Sequence, residues 1–244
     1  TRSAAVATWP LRHPSLCMFT SPLAPSDGVC YSHSGLSTGQ RVFHVKHSNQ
    51  SDTTFSVLRA ALERWNSPVD DDTLGRLASF ANWAAPGAAR LGLTRYADPG
   101  EFAERLIGPT LALAQADLRR FIASPVLDFG AGSGALGITA AITWPEVVVT
   151  IADRRRRAVR FAEIACVRFA AGNCQARELE LSAANLAGDE RYSLVLLRAF
   201  APTDAALGLV VPWLASGGAV ALWHRPPPPT SRSLELAATS TTGV

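Results

Sequence analysis

Apolar residues recur at helical spacing in the first part of the chain that shows a clear pattern. Phe55, Leu58, Leu62 and Trp65 lie at positions i, i+3, i+7 and i+10, which places them along one face of a helix. A stripe of this kind is typical of a helix that packs against a core. The pattern therefore predicts an N-terminal helical region.

Acidic residues predict where two further helices begin. Residues 70–72 are aspartates, which favour a helix N-terminus. Behind them, the residues at inward-facing helical spacing are Leu74, Leu77, Phe80 and Trp83. Asp98 is followed by Pro99, an N-cap before a residue that needs no backbone N–H, and predicts a third helix. Gly108 and Pro109 are expected to kink or interrupt this third helix.

From residue 125 onward, short apolar runs alternate with helical segments. The predicted strands are residues 126–129, 147–152, 174–177, 193–197 and 219–223. The predicted helices are residues 135–143, 154–170 and 203–214. Such alternation is typical of an α/β fold with a parallel sheet covered by helices on both faces.

These patterns divide the chain into four segments. Residues 1–41 are rich in Ser, Pro, Thr and Gly, and we interpret them as a disordered or non-native extension, with translation starting at Val42 as a hypothesis. Residues 42–122 form the helical region and residues 123–224 the α/β core. Residues 225–244 are predicted to be a disordered, Pro-rich tail.

Composition and cysteine content favour a cytoplasmic protein without a membrane anchor. Hydrophobic residues make up 48% and charged residues 18%, which indicates a globular chain. The four cysteines form no CxxC pair and the histidines are scattered, so neither a disulfide framework nor a zinc site is indicated. Residues 205–223 are long enough to span a bilayer, but Pro212 and the glycines at 217–218 interrupt them. We interpret this run as buried core.

Positive charge is concentrated locally although the formal net charge is only +3. Arginines outnumber acidic residues over residues 119–168, and residues 154–157 are four consecutive arginines at a predicted helix N-terminus. Cations oppose the helix dipole there, so their placement favours a role in phosphate contact. A solvated helix face is the alternative interpretation.

The stretch VLDFGAGSGALG, residues 126–137, predicts a glycine turn that approaches a nucleotide-like ligand. Gly132, Gly134 and Gly137 satisfy GxGxxG, and Asp153 ends the next strand where a ribose-binding acid belongs. Two features favour S-adenosyl-L-methionine over a nicotinamide dinucleotide. Gly130 adds an extra leading glycine, and Asp128 precedes it inside the strand, where it can meet the ammonium of a methionine group.

Three segments together resemble the RsmG (GidB) family of bacterial methyltransferases, which modify guanine N7 in 16S ribosomal RNA. These segments are VLDFGAGSGALGI, TIADRRRRAVRFAEIA and YSLVLLRAFAP, in the family's order. Upstream, GLTRYADPGEFAERLIGPTLALA is similar to the family's NLTxxxDPxExxxRHxxDSLxLA. The resemblance covers about residues 50–223. It implies a Rossmann-like class I S-adenosylmethionine-dependent methyltransferase sheet with an N-terminal helical subdomain.

The resemblance also implies roles for individual residues. The cofactor-binding residues would be Asp128, Gly130, Gly132, Gly134, Ala135, Asp153, Leu181, Ser182 and Arg198. Arg198 would also be catalytic, and Arg154, Arg155, Arg156 and Arg157 would contact RNA. The partner would be 16S ribosomal RNA or the small ribosomal subunit, and we expect a monomer. The alternatives are a catalytically impaired RNA-binding relic and a NAD-dependent oxidoreductase.

Several positions depart from the family pattern. Leu106 and Pro109 replace the His and Asp of RHxxDS, and Leu136 replaces a proline of the glycine turn. The acid of the adenine-binding segment is missing near Leu181, and no lysine follows the fifth strand. The residues after Arg225 contain no candidate for the family's terminal strand pair, which we interpret as a truncated or frameshifted C-terminus. Its loss predicts that residues 219–223 form an exposed apolar edge.

Overall fold

The computed structural model describes residues 7–8, 15–20, 49–65, 67–114, 119–180, 190–198 and 203–224. Within these residues the strands form one seven-stranded sheet with the order β1-β2-β7-β6-β3-β4-β5. The strands are β1 (Ala7–Thr8), β2 (Ser15–Thr20), β3 (Val126–Phe129), β4 (Val149–Asp153), β5 (Cys174–Glu178), β6 (Tyr192–Arg198) and β7 (Leu214–His224). Strands β3 to β7 are parallel, which confirms the predicted α/β fold.

The predicted helices are present, and two of them begin at the predicted caps. The helices are α1 (Asn49–Trp65), α2 (Asp71–Arg90), α3 (Pro99–Phe102), α4 (Gly108–Leu111), α5 (Ala135–Thr143), α6 (Arg156–Phe169) and α7 (Thr203–Val210). Asp70 Oδ1 accepts a hydrogen bond from the Thr73 N–H at 2.7 Å, and Asp98 Oδ1 accepts one from Glu101 at 2.8 Å. Each carboxylate satisfies a backbone donor that has no partner within its helix.

The third predicted helix changes type where a kink was expected. A π-helical turn, Ala103–Ile107, joins α3 to α4, and Pro109 lies in the first turn of α4. At that position the missing N–H of proline costs no intrahelical hydrogen bond. The chain therefore continues in helical form and carries Leu106 toward the sheet.

Two hydrophobic layers cover the sheet, one on each face. In β6, Leu194 and Leu196 pack toward the layer that contains α1, α2, α5 and α6, whereas Val195 and Leu197 pack toward α7. This alternation follows from the two-residue period of a strand, and burial on both sides explains why the strands are continuously apolar. Trp83 stacks on Phe161 with ring centroids 4.7 Å apart, which joins α2 to α6.

The N-terminal strands correct the prediction for the edge of the sheet. Strand β2 pairs antiparallel with β7, from Ser15 opposite His224 to Thr20 opposite Ala219, and β1 pairs with β2. The prediction that residues 219–223 form an exposed edge is therefore wrong. Both strands lie within residues 1–41, for which the sequence predicted a disordered or non-native extension. They occupy the place beside the fifth parallel strand that the resemblance assigns to a terminal strand pair.

The long apolar run at residues 205–223 forms part of the core. It comprises most of α7, a 3₁₀ turn (Val211–Trp213) and most of β7, with Leu207, Trp213 and Val220 buried. Among the helices described here, none has the length and apolar character needed to cross a membrane. The tail at residues 225–244 lies outside the described residues.

Candidate functional site

The glycine turn after β3 adopts a backbone conformation that other residues rarely adopt. Gly132 and Gly134 have φ angles of 56° and 70°, in the left-handed region. At Gly132 a Cβ atom would lie 3.1 Å from the Leu93 carbonyl oxygen and 3.6 Å from Arg155 Nη2. The turn is therefore held closely between the loop after α2 and the Arg155 side chain.

A cleft of about 190 Å³ opens at the carboxyl ends of β3 and β6. Of the predicted site residues, those that line it are Asp128, Gly130, Gly132, Ala135, Arg155 and Arg198. Asp153 contacts two of these residues from behind, and Gly134 caps α5 without lining the cleft. Leu181 and Ser182 lie outside the described residues. Ligands of open α/β sheets bind at this end of the strands.

Sequence reasoning missed part of the lining. Leu93 and Thr94 come from the loop between α2 and α3, and Leu106 comes from the π turn. Both segments belong to the upstream stretch that carries the family resemblance, so their similarity to the family was the available signal. No periodicity marks them, because each lies in irregular or non-α backbone.

Asp128 lies at the base of the cleft with one unsatisfied carboxylate oxygen. The residue is 1% exposed, and its Oδ2 accepts a hydrogen bond from the Gly137 N–H at 2.7 Å. Its Oδ1 is buried without a hydrogen-bond partner among the described residues. Burial raises the pKa of this carboxyl to about 7, since removal from water disfavours the charged form. A cationic donor placed in the cleft would complete its hydrogen bonding.

Asp153 lies at the end of β4 with both carboxylate oxygens satisfied. Oδ1 accepts from Arg155 N at 2.9 Å and Nε at 3.0 Å. Oδ2 accepts from Gly132 N at 2.9 Å and Arg155 Nη2 at 3.0 Å. Burial alone would raise the pKa of Asp153, but the hydrogen bonds from Arg155 and Gly132 outweigh it and lower the pKa.

Arg198 ends β6 and brings a cation into the cleft. Its Nη1 is buried with no hydrogen-bond partner in the described part of the chain. Burial lowers the pKa of its guanidinium, an effect that the neighbouring cations Arg95 and Arg105 reinforce and Tyr96 opposes. The cleft therefore holds an unpaired acceptor on Asp128 and an unpaired donor on Arg198.

The chain matches a family model described as rRNA small subunit methyltransferase G over residues 74–224. The chain belongs to this family.

Curated members of the methyltransferase G family are moderately similar to the chain. The ribosomal RNA small subunit methyltransferase G of Microcystis aeruginosa is 30% identical over 57% of this chain and 64% of its own length. That of Trichormus variabilis is 28% identical over 69% of this chain and 73% of its own length. The chain thus spans about two thirds of the relatives that it matches.

Solved structures of other methyltransferases are also similar to part of the chain. Coclaurine N-methyltransferase bound to N-methylheliamine and SAH is 16% identical, with a TM-score of 0.44 over 70% of this chain and 57% of that chain. A protein-L-isoaspartate O-methyltransferase from Plasmodium falciparum is 16% identical, with a TM-score of 0.42 over 68% of this chain and 82% of that chain.

The residues present fit the cofactor of the methyltransferase G family. S-adenosylmethionine carries an ammonium that suits the unsatisfied Asp128 Oδ1, and an uncharged thioether chain that suits a close glycine backbone. Asp153, at the end of β4, has the carboxylate that a ribose diol needs. The two carboxylate acceptors are therefore appropriate for this cofactor, although Asp153 is engaged with Arg155 in this structure.

The four consecutive arginines have different surroundings, because Arg154 and Arg155 precede α6 and Arg156 and Arg157 lie in its first turn. Arg155 points inward to Asp153, and Arg156 Nε lies 3.5 Å from Glu178 Oε2 on the surface. Arg154 and Arg157 are exposed. The four residues therefore do not form one uniform basic patch, and Arg155 belongs to the cofactor cleft.

Proposed function

We propose that the protein transfers a methyl group from S-adenosyl-L-methionine to N7 of a guanosine in 16S ribosomal RNA. The observation that carries the proposal is the pairing of a family match over residues 74–224 with a cleft whose unpaired groups are Asp128 Oδ1 and Arg198 Nη1. The protein would act in the cytoplasm as a monomer, on naked RNA or on the small ribosomal subunit.

Each end of the cleft has a role in holding the cofactor. Asp128 accepts from the ammonium of the methionine group, and Asp153 accepts from the ribose hydroxyls. Gly130, Gly132 and Gly134 let the backbone approach, and Ala135 lines the cleft beside them. Leu181 and Ser182 remain the predicted contacts of the adenine ring.

The chemistry requires alignment more than proton transfer. The sulfonium of the bound cofactor supplies an electrophilic methyl group. Guanine N7 has an in-plane lone pair and no proton to lose, so the protein needs no general base and contributes through orientation. Arg198 offers N–H donors at the cleft, and guanine O6, beside N7, is an acceptor that can receive one.

Exposed arginines beside the cleft suit a phosphate backbone. Arg154, Arg156 and Arg157 lie at the N-terminus of α6, next to the end of β4. Cations there oppose the helix dipole, and nearby phosphates would relieve that opposition. Binding of RNA through them would weaken steeply as salt concentration rises.

The direct test is methyl transfer to small subunits from a bacterium that lacks the family enzyme. Labelled S-adenosylmethionine is the donor, and the product is mapped for N7-methylguanosine. Arg198→Ala should lower turnover at least about hundredfold, as loss of a donor at the reacting centre does. Its affinity for S-adenosylhomocysteine, measured by calorimetry, should stay within about threefold of the starting value.

The matched control is Arg64→Ala, which removes an exposed arginine at the end of α1. It should methylate at the unmodified rate. Turnover by Arg198→Ala at the rate of the unmodified protein would refute the role of Arg198. A product other than N7-methylguanosine would refute the reaction.

A specific observation favours a second candidate, an RNA-binding relic without activity. Leu106 lines the cleft at the position where the family resemblance places a histidine. An apolar side chain there removes a polar contact at the site of transfer. A relic would bind 16S ribosomal RNA with strong salt dependence yet transfer no label. The active enzyme would bind the RNA and also transfer the label.

A further inference from the structure

All of the hydrogen-bonding capacity of Asp153 is used within the protein. An ionised carboxylate has about four acceptor positions, two on each oxygen. In this structure two are filled by the backbone N–H groups of Gly132 and Arg155, and two by Arg155 Nε and Nη2. A ribose diol that binds Asp153 must therefore replace one pair of these donors.

The two side-chain donors of Arg155 are the pair that can leave. Its two N–H groups reach one carboxylate oxygen each, both at 3.0 Å, which is the arrangement that two vicinal hydroxyls would make. Its side chain is 39% exposed, whereas that of Asp153 is 5% exposed. The guanidinium thus lies between the buried carboxylate and solvent, with room to swing outward.

We propose that Arg155 is an internal competitor of the cofactor: its guanidinium occupies the ribose subsite on Asp153 and must swing out before the ribose binds. This inference rests on the proposed use of S-adenosylmethionine. It assigns Arg155 a control over cofactor affinity, in place of the RNA contact that the sequence suggested for it.

The size of the cleft supports this assignment. Its volume is about 190 Å³. Pockets that bind small ligands typically have volumes of about 300–1,000 Å³, so the cleft is smaller than such pockets. Arg155 lines the cleft and lies 3.6 Å from the Cβ position of Gly132, so its departure would enlarge the cleft on the ribose side.

Truncation of the Arg155 side chain should leave the Asp153 carboxylate in place. The backbone N–H groups of Gly132 and Arg155 continue to hold one oxygen each after truncation to alanine. Arg155→Ala should therefore retain the fold and bind S-adenosylhomocysteine roughly three- to tenfold more tightly, since a charge-assisted pair no longer has to be broken.

The test is calorimetric titration of the full chain with S-adenosylhomocysteine, comparing the unmodified protein, Arg155→Ala and Arg160→Ala. Arg160 is exposed on α6, so its removal deletes the same charge without contact to Asp153. We expect tighter binding by Arg155→Ala only. Binding by Arg155→Ala that is equal to or weaker than that of the unmodified protein would overturn the competition.

A ligand without the diol separates competition from a general change of the cleft. With the 2′,3′-dideoxy analogue of S-adenosylhomocysteine, Arg155→Ala should show no gain, because there are no hydroxyls to occupy the freed acceptors. An equal gain for both ligands would overturn the proposed competition for Asp153. Absence of binding by every protein, the unmodified one included, would instead overturn the proposed function.

A conservative variant guards against a folding defect in Arg155→Ala. Arg155→Lys keeps the charge but offers a single donor centre, which cannot place one N–H on each oxygen in the planar geometry of arginine. Its affinity should lie between those of the unmodified protein and Arg155→Ala. Affinity below that of the unmodified protein would count against the competition.

Discussion

Two buried aspartates at the ends of neighbouring strands have opposite electrostatic environments. Asp128 has one hydrogen bond, an unsatisfied oxygen and a raised pKa, whereas Asp153 has four hydrogen bonds and a lowered pKa. They also influence each other, since the charge of Asp153 adds to the rise at Asp128. The carboxylate of Asp128 is therefore open to a ligand, whereas that of Asp153 is closed by donors of the protein itself.

The largest expected effect on stability comes from a change at Asp153. Asp153→Asn replaces one oxygen with an NH₂ group that faces the Arg155 guanidinium or the Gly132 N–H, so a donor meets a donor. We expect the free energy of unfolding to fall by about 2–3 kcal/mol, measured by urea denaturation without ligand. Unchanged stability would mean that the four hydrogen bonds of Asp153 contribute little.

A second change acts on Asp128 through Gly137, whose N–H donates to its carboxylate. At Gly137 a Cβ atom would lie 2.6 Å from Ile151 Cγ1 and 3.0 Å from Asp128 Oδ2. Gly137→Ala should therefore lower the free energy of unfolding by about 2 kcal/mol, by urea denaturation, because β4 and the Asp128 carboxylate must move.

Gly75→Ala is the matched control for this change. Gly75 lies within α2 with nothing within 4 Å of its Cβ position, so alanine should stabilise the protein by about 0.5–1 kcal/mol. Equal effects at the two glycines would show that the crowding at Gly137 is relieved without cost.

A further expected effect is a pH dependence from Asp128. Its pKa of about 7 in the folded protein lies above the ordinary 3.8, so the folded state holds this proton more tightly than the unfolded chain does. The contribution of Asp128 to the free energy of unfolding is therefore greatest below about pH 4 and falls between about pH 4 and pH 7. Above pH 7 it no longer changes.

Asp128→Asn should remove this fall and stabilise the ligand-free protein by about 1 kcal/mol at pH 8, because a neutral amide costs less to bury than a carboxylate. The measurement is the free energy of unfolding in urea at a series of pH values. A variant that is destabilised at pH 8 would indicate that Asp128 has a cationic partner in the folded protein.

The sequence predicted which residues form the cleft better than it predicted which of them bind one another. The glycine turn follows β3, and Asp128, Asp153 and Arg198 lie in the last residues of parallel strands. The carboxyl ends of such strands meet at one edge, so their proximity could be expected. Arg155 could not be distinguished from its neighbours, because the four arginines are identical and the sequence does not show that α6 begins just after Arg155.

Strand β2 was missed for a different reason. Ser15–Thr20 is a short apolar segment without a clear period, surrounded by residues rich in Ser and Pro. Its partner, β7, lies at the far end of the described chain, and no local pattern reports a contact at that distance. A chain that started at Val42 would lack this strand.

The pairing of β2 with β7 has a consequence during synthesis. Ser15–Thr20 leaves the ribosome well before the residues opposite it, Ala219 to His224, which lie near the far end of the described chain. At ordinary translation rates the wait is roughly ten to forty seconds. Until β7 has emerged, β2 lacks the partner on this edge, and the exposed edge is open to pairing with other chains.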